Sequence, residues 1–199
     1  EASNFDSWGQ LRSWFNSGFE ANCEATGAVL TQTQRLLSAG STPVQQLVEI
    51  GTWATHKRFL SGAPEDFRPN KAGLLVDEQV LNGVDAAVLL TSMYRAAGFT
   101  VQPVLAFELP PEQVQSELPR FNRVDTLLLR VKQGTQSWWI DPRHPLEFDE
   151  APPSGYQGGA ALLASDDNQP FERLQSTPAD ANRVETQIEA RLDDKGRLE

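Results

Sequence analysis

Cysteine and histidine are almost missing from this chain. Among 199 residues there is one cysteine, Cys23, and there are two histidines, His56 and His144. A single thiol excludes an intrachain disulfide framework and any cysteine-rich zinc site. Positive charge is also scarce: 17 Lys plus Arg face 27 Asp plus Glu, for a formal net charge of −10. That balance opposes a nucleic-acid interface that tracks phosphates, and it opposes adhesion to an anionic membrane surface. No apolar run approaches the roughly 20 residues of a membrane span. There is no internal repeat. The only methionine is Met93, and the sequence opens Glu1-Ala2-Ser3. It therefore reads as a mature or excised segment from which any signal peptide has gone.

What is present suits a folded chain, with 39% apolar and 22% charged residues. The first half reads helical. Ser7 caps a segment whose Trp8, Leu11, Phe15 and Phe19 recur every three or four positions. A weaker helix spans Thr26 to Ser38. Thr42-Pro43-Val44-Gln45 then combines an N-cap, a proline at the first helical position and a capping box. A turn-rich link from Phe67 to Gly73 leads into a short helix over Ala72 to Leu81. Asn82 and Asp85 mark the start of the best-defined helix, which closes at Gly98. Its Ala86-Ala87-Val88-Leu89-Leu90 run is apolar almost all round, which predicts central burial.

After Gly98 the pattern turns to strands over 100–107, 124–132 and 136–140. Pro103 suggests an edge or a bulge in the first, and Asp141-Pro142 ends the third. Residues 108–120 and 143–182 read as loops, with one apolar piece at Ala160 to Ala164. Alternation from Val184 to Leu192 predicts a half-buried strand, followed by a hairpin turn at Asp193-Asp194-Lys195-Gly196. The boundary expected is a core over 1–182 and, over 183–199, the first hairpin of a truncated following β domain. Helices first and antiparallel strands afterwards make an α+β order.

The stretch from Leu81 to Leu90, running into Tyr94-Arg95-Ala96-Ala97-Gly98-Phe99, resembles the central helix of the transglutaminase-like superfamily, relatives of the papain-type cysteine hydrolases. Arg68-Pro69, Pro103-Val104-Leu105, Phe121-Asn122-Arg123-Val124 and Trp139-Ile140-Asp141-Pro142 fall in the family's order. The resemblance covers roughly residues 5–180 and is strongest to multidomain bacterial proteins that set such a core between β domains. It implies a transglutaminase-like, papain-like core: N-terminal helices and a central helix packed on an antiparallel sheet.

The family's chemistry uses a Cys-His-Asp triad. The cysteine sits at a helix N-terminus that favours thiolate, a histidine is the base, and an aspartate orients the imidazole. The resemblance puts the cysteine position on Gly83, the histidine position on Arg123 and the aspartate on Asp141. Glycine offers no nucleophile, and arginine stays protonated and is no base. Only Asp141 matches, so the three positions read as a relic triad in which Arg123 fills the place of the imidazole and pairs with Asp141.

Other residues compete for attention. Cys23 is a nucleophile only with a base beside it, and neither His56 nor His144 holds the family's base position; a structural thiol is the plainer reading. Asp141, His144, Asp149 and Glu150 are hard-cation donors, but their spacing matches no ligand loop, and a solvated acidic loop accounts for them. Trp8, Trp14, Trp53, Trp138 and Trp139 suit a sugar or peptide groove as well as a core. Of the adjacent Trp138 and Trp139, one ring must face the core and the other the opposite side.

The expectation is therefore a catalytically inactive domain that binds or scaffolds within a larger exported bacterial protein, periplasmic or at the cell surface. No cofactor and no metal are expected. The partners expected are a peptide, protein or polysaccharide in the relic cleft and the flanking β domains of the parent chain. The alternatives are an active cysteine hydrolase or acyltransferase with a displaced nucleophile, and a structural spacer between β domains.

Overall fold

A computed structural model of the chain describes residues 5–60, 67–163 and 171–178. The strand and hairpin turn expected within 183–199, and with them the domain boundary, lie outside the described residues.

Three helices come first: α1 (Trp8–Glu20), α2 (Gly27–Leu36) and α3 (Pro43–Ala54). Their starts follow from the sequence. Ser7 accepts a hydrogen bond from the Gln10 N–H, and Thr42 and Gln45 form the reciprocal capping box. The short strand β1 (Arg58–Phe59), the single-turn helix α4 (Ala72–Leu75) and β2 (Val80–Leu81) come next. The helix expected over 72–81 thus stops after one turn. Its continuation is drawn into β2, which pairs in parallel with β1. Lys57 holds that corner. It is buried, and its Nζ donates to the carbonyls of Leu75 and Val76 at the end of α4 and of Glu78 beyond it.

Helix α5 (Gly83–Ala96) is the central element, with every residue from Val84 to Tyr94 buried. Gly98 has φ +92°, the left-handed conformation that ends such a helix at low cost. Arg95, in the last turn of α5, donates two hydrogen bonds to Glu20 at 2.6 and 2.9 Å and so ties α5 to the end of α1.

The rest builds one sheet. Strand β3 (Thr100–Ala106) precedes the short α6 (Pro111–Gln115), a turn of helix inside the stretch read as loop. Then follow β4 (Thr126–Gln133), β5 (Gln136–Ile140), β6 (Phe148–Asp149), β7 (Ala160–Leu163) and β8 (Glu172–Arg173). The order is β6-β5-β4-β3-β7-β8, antiparallel throughout. Pro103 is therefore on an interior strand. Among the described residues it pairs with Leu129 of β4, and β7 pairs with Val104 to Ala106. The apolar piece at 160–163 is β7 itself.

Side-chain alternation gives the sheet two faces. Val101, Leu105, Leu127, Leu129, Val131, Trp138 and Ile140 join the main core under α5. Val104, Leu128, Trp139, Ala161 and Leu174 form a smaller cluster on the outer face. The adjacent tryptophans divide between the two faces as alternation requires. Trp8 packs edge-on against Phe107, and Phe15 and Phe67 pack against Phe121, which fixes α1 beside the sheet. The architecture is α+β.

Candidate functional site

The N-terminus of α5 is held from two sides. Asn82 Oδ1 accepts from the Asp85 N–H at 2.8 Å, and Asp85 Oδ2 accepts from Asn82 Nδ2 at 3.0 Å. Asp85 also accepts from the Asn70 N–H at 2.9 Å. A buried carboxylate in the first turn complements the helix dipole and fixes where that end of the helix points.

Gly83 is the first residue of this helix. Its φ is not positive, and a Cβ placed there meets only Arg143 Cδ, at 3.9 Å. Neither backbone nor packing demands glycine at this position. A side chain has room, and its neighbour is the arm of Arg143.

Asp141 follows β5 and is 7% exposed. It lines the same depression as Trp139, and alternation along β4 puts Thr126, its first residue, on the outer face with Leu128. Asp141 Oδ1 accepts from the Arg143 N–H at 2.9 Å, which closes a side-chain turn over Pro142. The guanidinium then doubles back on the same carboxylate, with Nε to Oδ1 at 3.1 Å and Nη2 to Oδ2 at 2.8 Å. Nη2 also donates to Thr126 Oγ1 at 2.9 Å. The hydrogen bond to Asp141, against the opposing effect of burial, raises the arginine above its ordinary value, and Tyr156 adds to this to a lesser degree. Arg143 is thus a fixed cation bound to Asp141 and Thr126, with its methylene arm beside the space a side chain at position 83 would fill.

This corrects the expected pairing. Arg123 lies in a turn of 3₁₀ helix, is exposed, and binds Glu117, with Nε to Oε2 at 2.7 Å. The cation on Asp141 comes from Arg143, two residues along the chain, and the strand position that joins the group is Thr126. Of the three residues singled out from sequence, Gly83 and Asp141 are brought to one place through Arg143, and Arg123 is engaged elsewhere. The Asp-Pro-Arg run was the available signal, because an aspartate turn over proline returns the second residue's side chain to the carboxylate.

The loop that carries Arg143 is seated on α3. At Gly51 a Cβ would come within 2.8 Å of the Pro145 carbonyl oxygen and 3.0 Å of Leu146 Cδ2. Here glycine is required, because the loop backbone lies directly on the helix.

The remaining candidates are dispersed. Cys23 is buried, and its own carbonyl accepts from Ser92 Oγ at 2.6 Å. Burial and then Glu20 push its thiol well up, and the opposite pull of Arg95 is smaller. A thiol so held stays protonated and is a poor nucleophile. His56 is exposed, with Nδ1 3.3 Å from the Trp53 carbonyl, and His144 is exposed beyond Arg143. Asp141, His144, Asp149 and Glu150 line one depression of about 690 Å³. Among the described residues no three His, Cys, Asp or Glu converge on a point that holds a metal ion. No helix among them is long and apolar enough to cross a membrane.

No family model matches the chain, and no curated protein matches it in sequence. Among solved structures it is similar to a crystal structure from Parabacteroides distasonis described as that of a putative protease. The TM-score is 0.66 at 11% identity, over 87% of this chain and 32% of that one. The chain therefore spans about a third of that protein's length, and what the two share is the fold.

Proposed function

We propose that the chain is a catalytically inactive transglutaminase-like domain that serves as a binding or scaffolding module. Its parent is a larger bacterial protein, exported to the periplasm or the cell surface. The carrying observation is Arg143. Where a thiolate at a helix N-terminus would need a neutral base beside it, this chain has Gly83, with no side chain, beside the methylene arm of Arg143, whose guanidinium is clamped by Asp141 and Thr126. A clamped guanidinium cannot take a proton from a nucleophile. Modest exposure of the pair and two further hydrogen bonds make it a fixed structural element. The shared fold supports the reading only at the level of architecture.

The competing reading is an active hydrolase that uses Cys23, favoured by the protease description of the structural neighbour. The raised thiol and its burial argue against it. Two measurements test the proposal. The unaltered chain should show no thiol-dependent turnover of peptide or glutamine amides, and turnover abolished by Cys23→Ser would sink the reading. In Gly83→Cys the new thiol should alkylate with iodoacetamide at a midpoint below the ~8.5 of a free thiol, because the helix N-terminus and Arg143 stabilise thiolate. Adding Arg143→Ala with Thr126→His should then couple the profile to an imidazole titration. A free-thiol profile in both variants would mean that positions 83, 126 and 141 do not form one site.

A further inference from the structure

The outer face of the sheet carries a row of side chains that the Arg143 cluster does not use. Register sets Arg130 of β4 opposite Trp139 of β5, and Trp139 opposite Asp149 of β6. A cation, an aromatic ring and an anion therefore stand side by side across three strands on one face. With neighbouring strands roughly 4.8 Å apart, the backbone positions of Arg130 and Asp149 are about 10 Å apart. Two cavities flank this row and share Trp139, Glu150 and Pro152 as walls. One, of about 450 Å³, takes in Arg130, Ser137 and Glu172; the other, of about 690 Å³, takes in His144, Glu147 and Asp149. Both have the size of small-ligand sites.

The Arg130 end lacks an acceptor. The guanidinium lies over the Trp139 ring, 5.4 Å from its centroid. Its Nε is buried without a hydrogen-bond partner, and so is Ser137 Oγ in the same cavity. Among the described residues no carboxylate pairs with Arg130. Buried donors without acceptors are costly and uncommon. At the other end Glu147, Asp149 and Glu150 are exposed, and among the described residues no cation pairs with them.

These features narrow the ligand. Trp139 is 8% exposed and Arg130 covers its ring, so no bare aromatic face is left for a sugar to stack on. Glu150 and Glu172 offset Arg130 and Arg173 around this cavity, so it carries no excess of positive charge for a phosphate or other multivalent anion. A single carboxylate meets the guanidinium as a two-pronged partner. We propose that this trough binds an extended peptide, with a carboxylate against Arg130 beside Trp139 and a cationic side chain against Glu147, Asp149 and Glu150. At roughly 3.3 Å per extended residue, the two groups lie about three residues apart in the peptide. The inference rests on reading the chain as a binding module, and it gives that module a surface and a ligand class. The two fail separately, since the alkylation test at position 83 involves no peptide and the peptide test involves no thiol.

The experiment is a selection of random octapeptides with free C-termini on the immobilised full chain. A selected synthetic peptide is then titrated into isotope-labelled protein by NMR. The peptides should carry a carboxylate two to four residues from Lys or Arg. The Trp139 indole N–H and Arg130 Nε–H signals should move saturably. Arg130→Gln should weaken binding about tenfold or more, as loss of one charge-assisted pair does. Arg130→Lys should recover only part of it, because the planar fork is gone. Asp149→Asn with Glu150→Gln should relax the preference for Lys and Arg. Unchanged methyl signals from the core under α5 establish that each variant is folded. The inference is overturned if no selected peptide moves the Trp139 signal, or if wild type and Arg130→Gln bind equally. It is overturned as well if a neutral chito-oligosaccharide moves that signal where peptides do not.

Discussion

Truncating Arg143 to alanine leaves the Asp141 carboxylate with only the backbone N–H of residue 143 among its present donors. Breaking a fully buried ion pair from one side costs about 3–5 kcal/mol, and an exposed pair contributes about 0–1. The side chains here are 20% and 9% exposed, so water reaches the arginine in part and relieves part of the penalty. The expected cost is roughly 2–3 kcal/mol, which includes the lost bond to Thr126. For a chain of this length that corresponds to about 5–10 °C in Tm. Arg123→Ala removes a pair that is 50% and 33% exposed and should cost under about 1 kcal/mol. The assay is urea unfolding of both single variants, of Asp141→Asn and of the two double variants. Positions 141 and 143 should couple by about 1.5 kcal/mol or more, and 141 and 123 by no more than about 0.3. A larger coupling of 141 with 123 than with 143 would refute the assignment of the guanidinium. So would an Arg143→Ala variant within about 0.5 kcal/mol of wild type.

Two glycines should respond in opposite ways. Gly83→Ala meets nothing nearer than 3.9 Å and should leave stability unchanged or raise it by up to about 1 kcal/mol. Gly51→Ala presses on the Pro145 carbonyl and should cost about 1–3 kcal/mol and shift the NMR signals of Arg143 and Leu146, as thermal unfolding and spectra would check. For Cys23 the folded state keeps a proton that the unfolded state gives up above the ordinary thiol value of 9.0. Its contribution is therefore complete below that pH and is lost as pH rises. Relative to Cys23→Ala, wild type should lose up to about 1.4 kcal/mol per pH unit above pH 9 in denaturant titrations, and a flat difference would contradict the burial of the thiol.

Much of the fold was legible because its signals are local. Ser7, the Thr42 capping box, the Asn82 cap and Gly98 are short-range devices whose meaning does not depend on tertiary context. The alternation that divides Trp138 from Trp139 is equally local. The helix read over 72–81 failed because its second half is claimed by β1, a partner about 20 residues upstream that no pattern announces. Pro103 suggested an edge or a bulge, whereas β3 lies inside the sheet between β4 and β7, pairings that are distant in sequence. Within the site, Gly83 and Asp141 came from a resemblance and not from any periodicity. Thr126 was invisible, since its role rests on strand register and on one arginine.

The replacement of Arg123 by Arg143 on Asp141 has a chain-entropy cause. A partner 18 residues away must be brought back by a folded loop, and the closing cost grows with loop length. Arg143 needs no such closure. Pro142 has a fixed φ, the Asp141 carboxylate already holds the N–H of residue 143, and the side chain has only to fold back over a turn that exists without it. The local contact also frees Arg123 to bind Glu117, six residues away on the same excursion. Two short-range ion pairs thus stand where one long-range pair was expected. The same locality makes the Arg143 cluster a poor catalytic device: a guanidinium whose place is set by its own turn does not move with a substrate, and it stays charged through any cycle of proton transfer.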